Sequence, residues 1–153
     1  MTPRKELFIK LRDQLKTVPE LELVDLFRNQ YAGEDWTAAL IRISSIQWGT
    51  MTQKVQEGTC TVDVIFYCRD GWMDQFAGTG DQEGGLIEID VIDSIVDAVQ
   101  FLKGDQFSPL EQSDEETEEQ EMQGVMSYRI AFETKVYRDL KKKYSGRKLT
   151  LTP

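Results

Sequence analysis

Gly124-Val125-Met126-Ser127-Tyr128-Arg129-Ile130-Ala131-Phe132-Glu133-Thr134-Lys135-Val136 is the stretch whose reading decides the fold. Met126, Tyr128, Ile130, Phe132 and Val136 alternate with Ser127, Arg129, Glu133 and Lys135. A strand sends successive side chains to opposite faces, so this is one long half-buried strand with a patterned polar side. An acidic run, Glu111 to Glu121, precedes it, and a basic tail, Lys141 to Lys148, follows. Binding surfaces, more than catalytic groups, dominate the chain.

Upstream, Gly58 to Cys68 repeats the pattern, with Cys60, Val62, Val64, Phe66 and Cys68 on one face and Thr59, Thr61, Asp63, Ile65 and Tyr67 on the other. Ala39 to Trp48 carries Ile41 and Ile43 in one phase and Ile46 and Trp48 in the other. An extra residue at Ser44-Ser45 makes a bulge that returns all four to one side. These two strands form an antiparallel hairpin with a long polar connection from Gly49 to Glu57. Leu21 to Phe27 reads as an earlier strand, and Phe107 to Leu110 as the start of a later one that the acidic run interrupts.

Two helices complete the pattern. Thr2-Pro3 supplies a hydroxyl cap and a ring suited to the first helical position; Leu7, Phe8, Leu11, Leu15 and Val18 follow at helical spacing until Pro19. Ile87 to Leu102 places Ile92, Ile95, Val96, Val99 and Leu102 on one stripe, with Glu88 and Asp90 at its start and Lys103-Gly104 at its end, as the helix dipole favours. An antiparallel or mixed sheet of four to five strands with both helices on one face is the simplest way to bury both stripes, giving an α+β fold with long protruding loops. Residues 1–139 form one domain, and 140–153 a basic, flexible tail.

With 153 residues, 40% of them hydrophobic, the chain has material for one core. The formal net charge of −9 argues against specific nucleic-acid binding, which needs a basic footprint. The sequence has neither an apolar run that spans a bilayer nor an apolar signal core, so a soluble intracellular protein is expected. Cys60 and Cys68 sit eight positions apart on one strand, roughly 26 Å at the strand rise. That is far beyond the roughly 7 Å limit for a disulfide, so both are expected as free thiols.

The chain contains no histidine, the commonest general base and zinc ligand. Gly78-Thr79-Gly80 lacks the spacing of a dinucleotide fingerprint, because Gly84-Gly85 falls one step late, and no phosphate loop is present. No catalytic residue, cofactor or metal is assigned. The acidic run, with Glu111, Asp114, Glu115, Glu116, Glu118, Glu119 and Glu121, reads as a solvated hairpin loop in preference to a calcium site, since calcium-loop spacing is missing. Its functional alternative is electrostatic: it repels DNA phosphates or pairs with a basic neighbour, for which Lys141, Lys142 and Lys143, with Arg147 and Lys148, offer a partner from another copy. The glycine-rich segment from Arg69 to Gly85 is long enough to be functional and carries Trp72, Met73 and Phe76. The candidate interface is therefore Arg69, Asp70, Trp72, Met73 and Phe76, then Glu115, Glu116, Glu118 and Glu119, then Lys141, Lys142 and Lys143. Trp48 is expected in the core and Trp72 at an interface; Trp36 stays undecided.

The opening helix, the Ile41-Arg42-Ile43 strand, the Cys60-Thr61-Val62-Asp63-Val64-Ile65-Phe66-Tyr67 strand, the glycine-bearing loop, the Ile87 to Leu102 helix and the Tyr128-Arg129-Ile130-Ala131-Phe132 strand together resemble bacteriophage tail-terminator proteins. This family includes the minor tail protein U of lambda-like phages and the tail-to-head joining proteins. The likeness spans roughly residues 3 to 138 and rests on element order, with no diagnostic motif. It implies a non-enzymatic structural subunit that assembles in the host cytoplasm and resides in the virion tail. There it would form a hexameric ring on the tail tube protein, end tube polymerisation and meet the head-tail connector proteins. Two alternatives stand beside it: another head-tail neck or adaptor component, and a small-ligand or carboxylate-based enzyme domain with the glycine-rich loop as a lid.

Overall fold

In a computed structural model, residues 2–27, 37–52, 54–69, 86–118 and 125–140 are described. The elements run α1 (Pro3–Leu15), β1 (Leu23–Leu26), β2 (Ala38–Met51), β3 (Val55–Arg69), α2 (Leu86–Val99), β4 (Glu111–Glu118) and β5 (Val125–Asp139). The strands make one sheet in the order β1-β2-β3-β5-β4. All neighbours are antiparallel except β1 and β2, which pair in parallel from Leu23↔Ala38 to Leu26↔Ile41. The fold is thus α+β with a five-stranded mixed sheet and two helices on one face, as the periodicities predict.

The decisive stretch is the strand it promises to be. β5 pairs with β3 over their full lengths, from Val55↔Asp139 to Arg69↔Val125. Met126, Ile130, Phe132 and Val136 join Cys60, Val62, Val64 and Phe66 in the core beneath Leu7, Leu11 and Leu15 of α1 and Val91, Ile92, Ile95 and Val99 of α2. Because one face is buried, a one-residue slip would turn this whole apolar set toward solvent.

The bulge also lies where the phase shift places it. Ile43 pairs with Val62 but Ser45 with Thr61, leaving Ser44 as the extra residue. Ile43, Ile46 and Trp48 consequently pack on the same core as Ile41. Trp48 is half-buried, with the Arg138 guanidinium 3.8 Å from its ring centre.

Three boundaries differ from expectation. The hairpin connection is short: β2 runs on to Met51 and β3 begins at Val55, closed by Thr52, whose Oγ1 accepts from the Val55 amide at 3.1 Å and whose own amide donates to the Val55 carbonyl at 2.9 Å. α2 stops at Val99, short of Leu102, because Phe101 adopts φ 65°, which a right-handed helix does not admit. Its last turn contains no cation, so Lys103 lies beyond the helix and the expected dipole match holds only at the start. Finally, Phe107 to Leu110 is no strand; Phe107 makes one bridge to Val136, and both Phe107 and Leu110 are buried.

The acidic run brings the largest correction. Expected as a repelling loop, Glu111 to Glu118 forms β4, the edge strand against β5. Acidic residues are poor strand formers, yet an edge strand keeps its side chains in water and cross-strand arginines neutralise them. Because of the bulge between Gln112 and Asp114, four of its five carboxylates, Glu111, Asp114, Glu116 and Glu118, share the face turned away from the helices, and Glu115 lies on the other. Among the described residues no group of three or more acids or cysteines is placed to hold a metal ion, and no helix is long and apolar enough to cross a membrane.

Candidate functional site

The sheet face turned away from the helices carries the chain's densest cluster of described charges. Arg42 on β2, Asp63 on β3, Arg129 on β5 and Asp114, Glu116 and Glu118 on β4 all fall in the phase opposite the helix-facing core, the phase that also holds the smaller buried cluster of Ala38, Leu40, Ile65 and Tyr67. Arg42 stands opposite Asp63, Asp63 opposite Ala131, and Ala131 opposite Asp114, while Glu116 faces Arg129. Ala131 has no side chain long enough to separate its neighbours, so the charges on β3 and β4 meet through Arg129.

Asp63 is the hub, 3% exposed. Its Oδ2 accepts from Arg42 Nε at 3.1 Å and Nη2 at 2.8 Å, and from Ser44 Oγ at 2.8 Å. Its Oδ1 lies 3.5 Å from Arg129 Nη1. The bulge that fixes the register thus also delivers a hydroxyl to the buried carboxylate. Arg42 reaches Glu118 Oε1 at 3.2 Å, and its guanidinium lies 5.0 Å from the centre of the Phe27 ring. Arg129 donates through Nη2 to Asp114 at 2.8 Å and Glu116 at 2.8 Å.

Partial burial opposes the charge on both arginines, but the surrounding carboxylates outweigh it and raise both above the ordinary guanidinium value. The hydrogen bond from Arg129, then that from the Glu115 backbone, lowers Asp114. On the other side of β4, Glu115 accepts from Gln112 Nε2 at 2.6 Å. Tyr128 is raised, first by desolvation and then by the charge of Glu115. Two guanidinium groups thus face four carboxylates in the cluster, leaving a net negative edge. Such a surface can dock a basic partner and discourages like edges from pairing.

Of the expected interface residues, Glu115, Glu116 and Glu118 lie on β4, and the latter two are already engaged by Arg129 and Arg42. Arg69 ends β3 in its backbone; Asp70, Trp72, Met73, Phe76, Glu119, Lys141, Lys142 and Lys143 lie outside the described residues, as does Trp36. Arg42 and Ser44 were missed as members of the cluster. Their signal is the occurrence of Arg42, Asp63 and Arg129 in one phase, opposite the helix-facing core, on three neighbouring strands.

Farther along the same face, Glu111 stands opposite Glu133 beside an open groove of about 330 Å³ that Thr59, Ser108 and Lys135 help to line. Lys135 Nζ donates to Thr59 Oγ1 at 3.0 Å. Glu111, Glu133 and Lys135 are all exposed, so bulk water reaches the groove. The thiols lie elsewhere: Cys60 and Cys68 are free and buried, and burial pushes Cys60 up to about 11 despite the nearby Arg4 charge.

No protein-family model matches the chain, and no curated protein matches it. A solved structure does: a chain of the virion of a native gene transfer agent particle superposes with a TM-score of 0.61, covering 86% of this chain and 95% of that one at 9% identity. At that identity the likeness is one of fold.

Proposed function

We propose that this chain is a structural subunit of a phage-like virion that caps the tail tube, ends tube polymerisation and forms the tail side of the head-tail junction as a ring, hexameric as the tail-terminator resemblance implies. The observation that carries the reading is the near-complete mutual coverage with a chain of a virion particle. The match takes in 95% of that chain and 86% of this one. The net negative sheet edge supports it, because electrostatic complementarity orients a subunit and selects its neighbours. In this reading the protein turns over no substrate, takes no cofactor and meets the tube and connector proteins through its surfaces.

Tail length in particles assembled without the chain tests the role. A terminator's loss leaves tubes overlong, whereas tails of normal length left unattached to heads would move the assignment to a neck adaptor. Saturable binding of a small metabolite with a clear thermal shift would instead favour a ligand-binding domain.

A further inference from the structure

The outward faces of the two helices carry opposite charge at identical spacing. On α1, opposite the buried Leu7, Leu11 and Leu15, lie Lys5, Ile9, Arg12 and the capping Lys16, separated by four, three and four residues. On α2, opposite the buried Val91, Ile92, Ile95 and Val99, lie Leu86, Asp90, Asp93 and Asp97, separated by the same four, three and four. This spacing keeps each set on one helical stripe. Asp90, Asp93 and Asp97 are exposed, and among the described residues none has a cation within ion-pair distance.

Apolar side chains accompany the charges. Leu86 is 41% exposed and Ile89 45%, at the start of the acidic stripe, and Phe101 is 64% exposed just past its end. Phe101 also holds φ 65°, a left-handed position where glycine avoids the steric cost that a phenylalanine incurs. An aromatic ring kept in water on a disfavoured backbone is doubly unfavourable in an isolated chain.

Because α1 and α2 both bury their stripes against the same sheet face, the two charged stripes point the same way, away from the sheet. Among the described residues no ion pair joins the two stripes within one chain. Turned by half a turn about an axis that lies in the contact plane and runs between α1 and α2, a second copy faces the first and sets its α2 over the first copy's α1, and its α1 over the first copy's α2. The geometry points to an isologous dimer of this chain through the helix layer, with Lys5, Arg12 and Lys16 of each copy facing Asp90, Asp93 and Asp97 of the other and Phe101 as an apolar anchor. The contact is independent of the proposed ring, which needs head-to-tail surfaces.

Sedimentation equilibrium of the full chain at low salt tests it. The wild type dimerises, and raised salt weakens the dimer. Asp93→Lys with Asp97→Lys, and separately Lys5→Glu with Arg12→Glu, each weaken self-association at least tenfold with helical content retained. An equimolar mixture of the two variants recovers a mixed dimer. Phe101→Gly separates docking from folding, because it relieves the backbone cost and raises the unfolding midpoint while weakening the dimer. A wild type that stays monomeric, folded reversals that dimerise as the wild type does, or a mixture that stays monomeric overturns the proposal. Tail length is unaffected by these outcomes, so the dimer and the tail-capping role stand or fall separately.

Discussion

Arg42 and Asp63 face each other across β2 and β3, and the guanidinium places two of its nitrogens, at 3.1 and 2.8 Å, on a single oxygen of a carboxylate that is almost wholly buried. The second oxygen is left for Arg129 on the other flank of β3. One carboxylate therefore ties three strands together.

Removing that carboxylate leaves two partly buried guanidinium groups facing each other. Asp63→Ala is expected to lower unfolding free energy by about 3 kcal/mol, near the lower end for breaking a buried pair because both arginines keep some contact with water. Urea denaturation measures the loss. Arg42→Met in the same background should recover part of it, and a further loss of similar size would show that the two arginines do not repel.

Single neutral substitutions on β4 behave differently. Asp114→Asn or Glu116→Gln should each leave the unfolding midpoint almost unchanged, since both side chains are largely exposed and screened by water. Replacing Asp114, Glu116 and Glu118 together with threonine should raise aggregation at neutral pH, because an uncharged edge is a template for further strands. Light scattering over time reads this, and a triple variant as soluble as the wild type would remove the protective role.

The buried thiol gives a pH signature. Cys60 titrates at about 11 in the fold against an ordinary 9.0, so the unfolded chain releases the proton first. Its contribution is complete below pH 9 and is lost as pH rises toward 11, at most about 3 kcal/mol from a shift of this size. In urea titrations from pH 8 to 10.5, Cys60→Val should flatten the decline, and an unchanged slope would assign the decline to other groups.

Deleting Ser44 removes the bulge residue. Ile43↔Val62 then runs directly on to Ser45↔Thr61, so Ile46 and Trp48 stay on the core face and the ladder closes without interruption. What is lost is the Ser44 hydroxyl on the buried Asp63 carboxylate, a hydrogen bond to a charged group worth about 2 kcal/mol. Calorimetry should show a cooperative transition whose midpoint falls by roughly 4 to 8 °C; loss of cooperative unfolding would mean that the sheet needs the bend of the bulge itself.

These features were not equally legible. The bulge, the long strands and the helix layer could be read because apolar residues recur at the strand or helix period, and burial enforces that period. β4 could not, since its eight residues, Glu-Gln-Ser-Asp-Glu-Glu-Thr-Glu, contain no hydrophobic side chain. It is a strand because of what lies across from it: Arg129 and the open ladder of β5. The Asp63 hub was half legible, its partners being 21 and 66 residues away, a pairing that depends on register and not on local pattern. Likewise Phe101 ends α2 early through a backbone angle that nothing in Lys103-Gly104 announces.

The full-length pairing of β3 with β5 has a temporal side. Its partners lie between 56 residues apart, at Arg69↔Val125, and 84 apart, at Val55↔Asp139. During synthesis the β2–β3 hairpin must wait, one edge open, until β5 is made. Ladders of such sequence separation close slowly, on the millisecond-to-second scale. A chain cut short before β5 has no way to finish its core, so any assembly that selects for the closed sheet also screens out incomplete subunits.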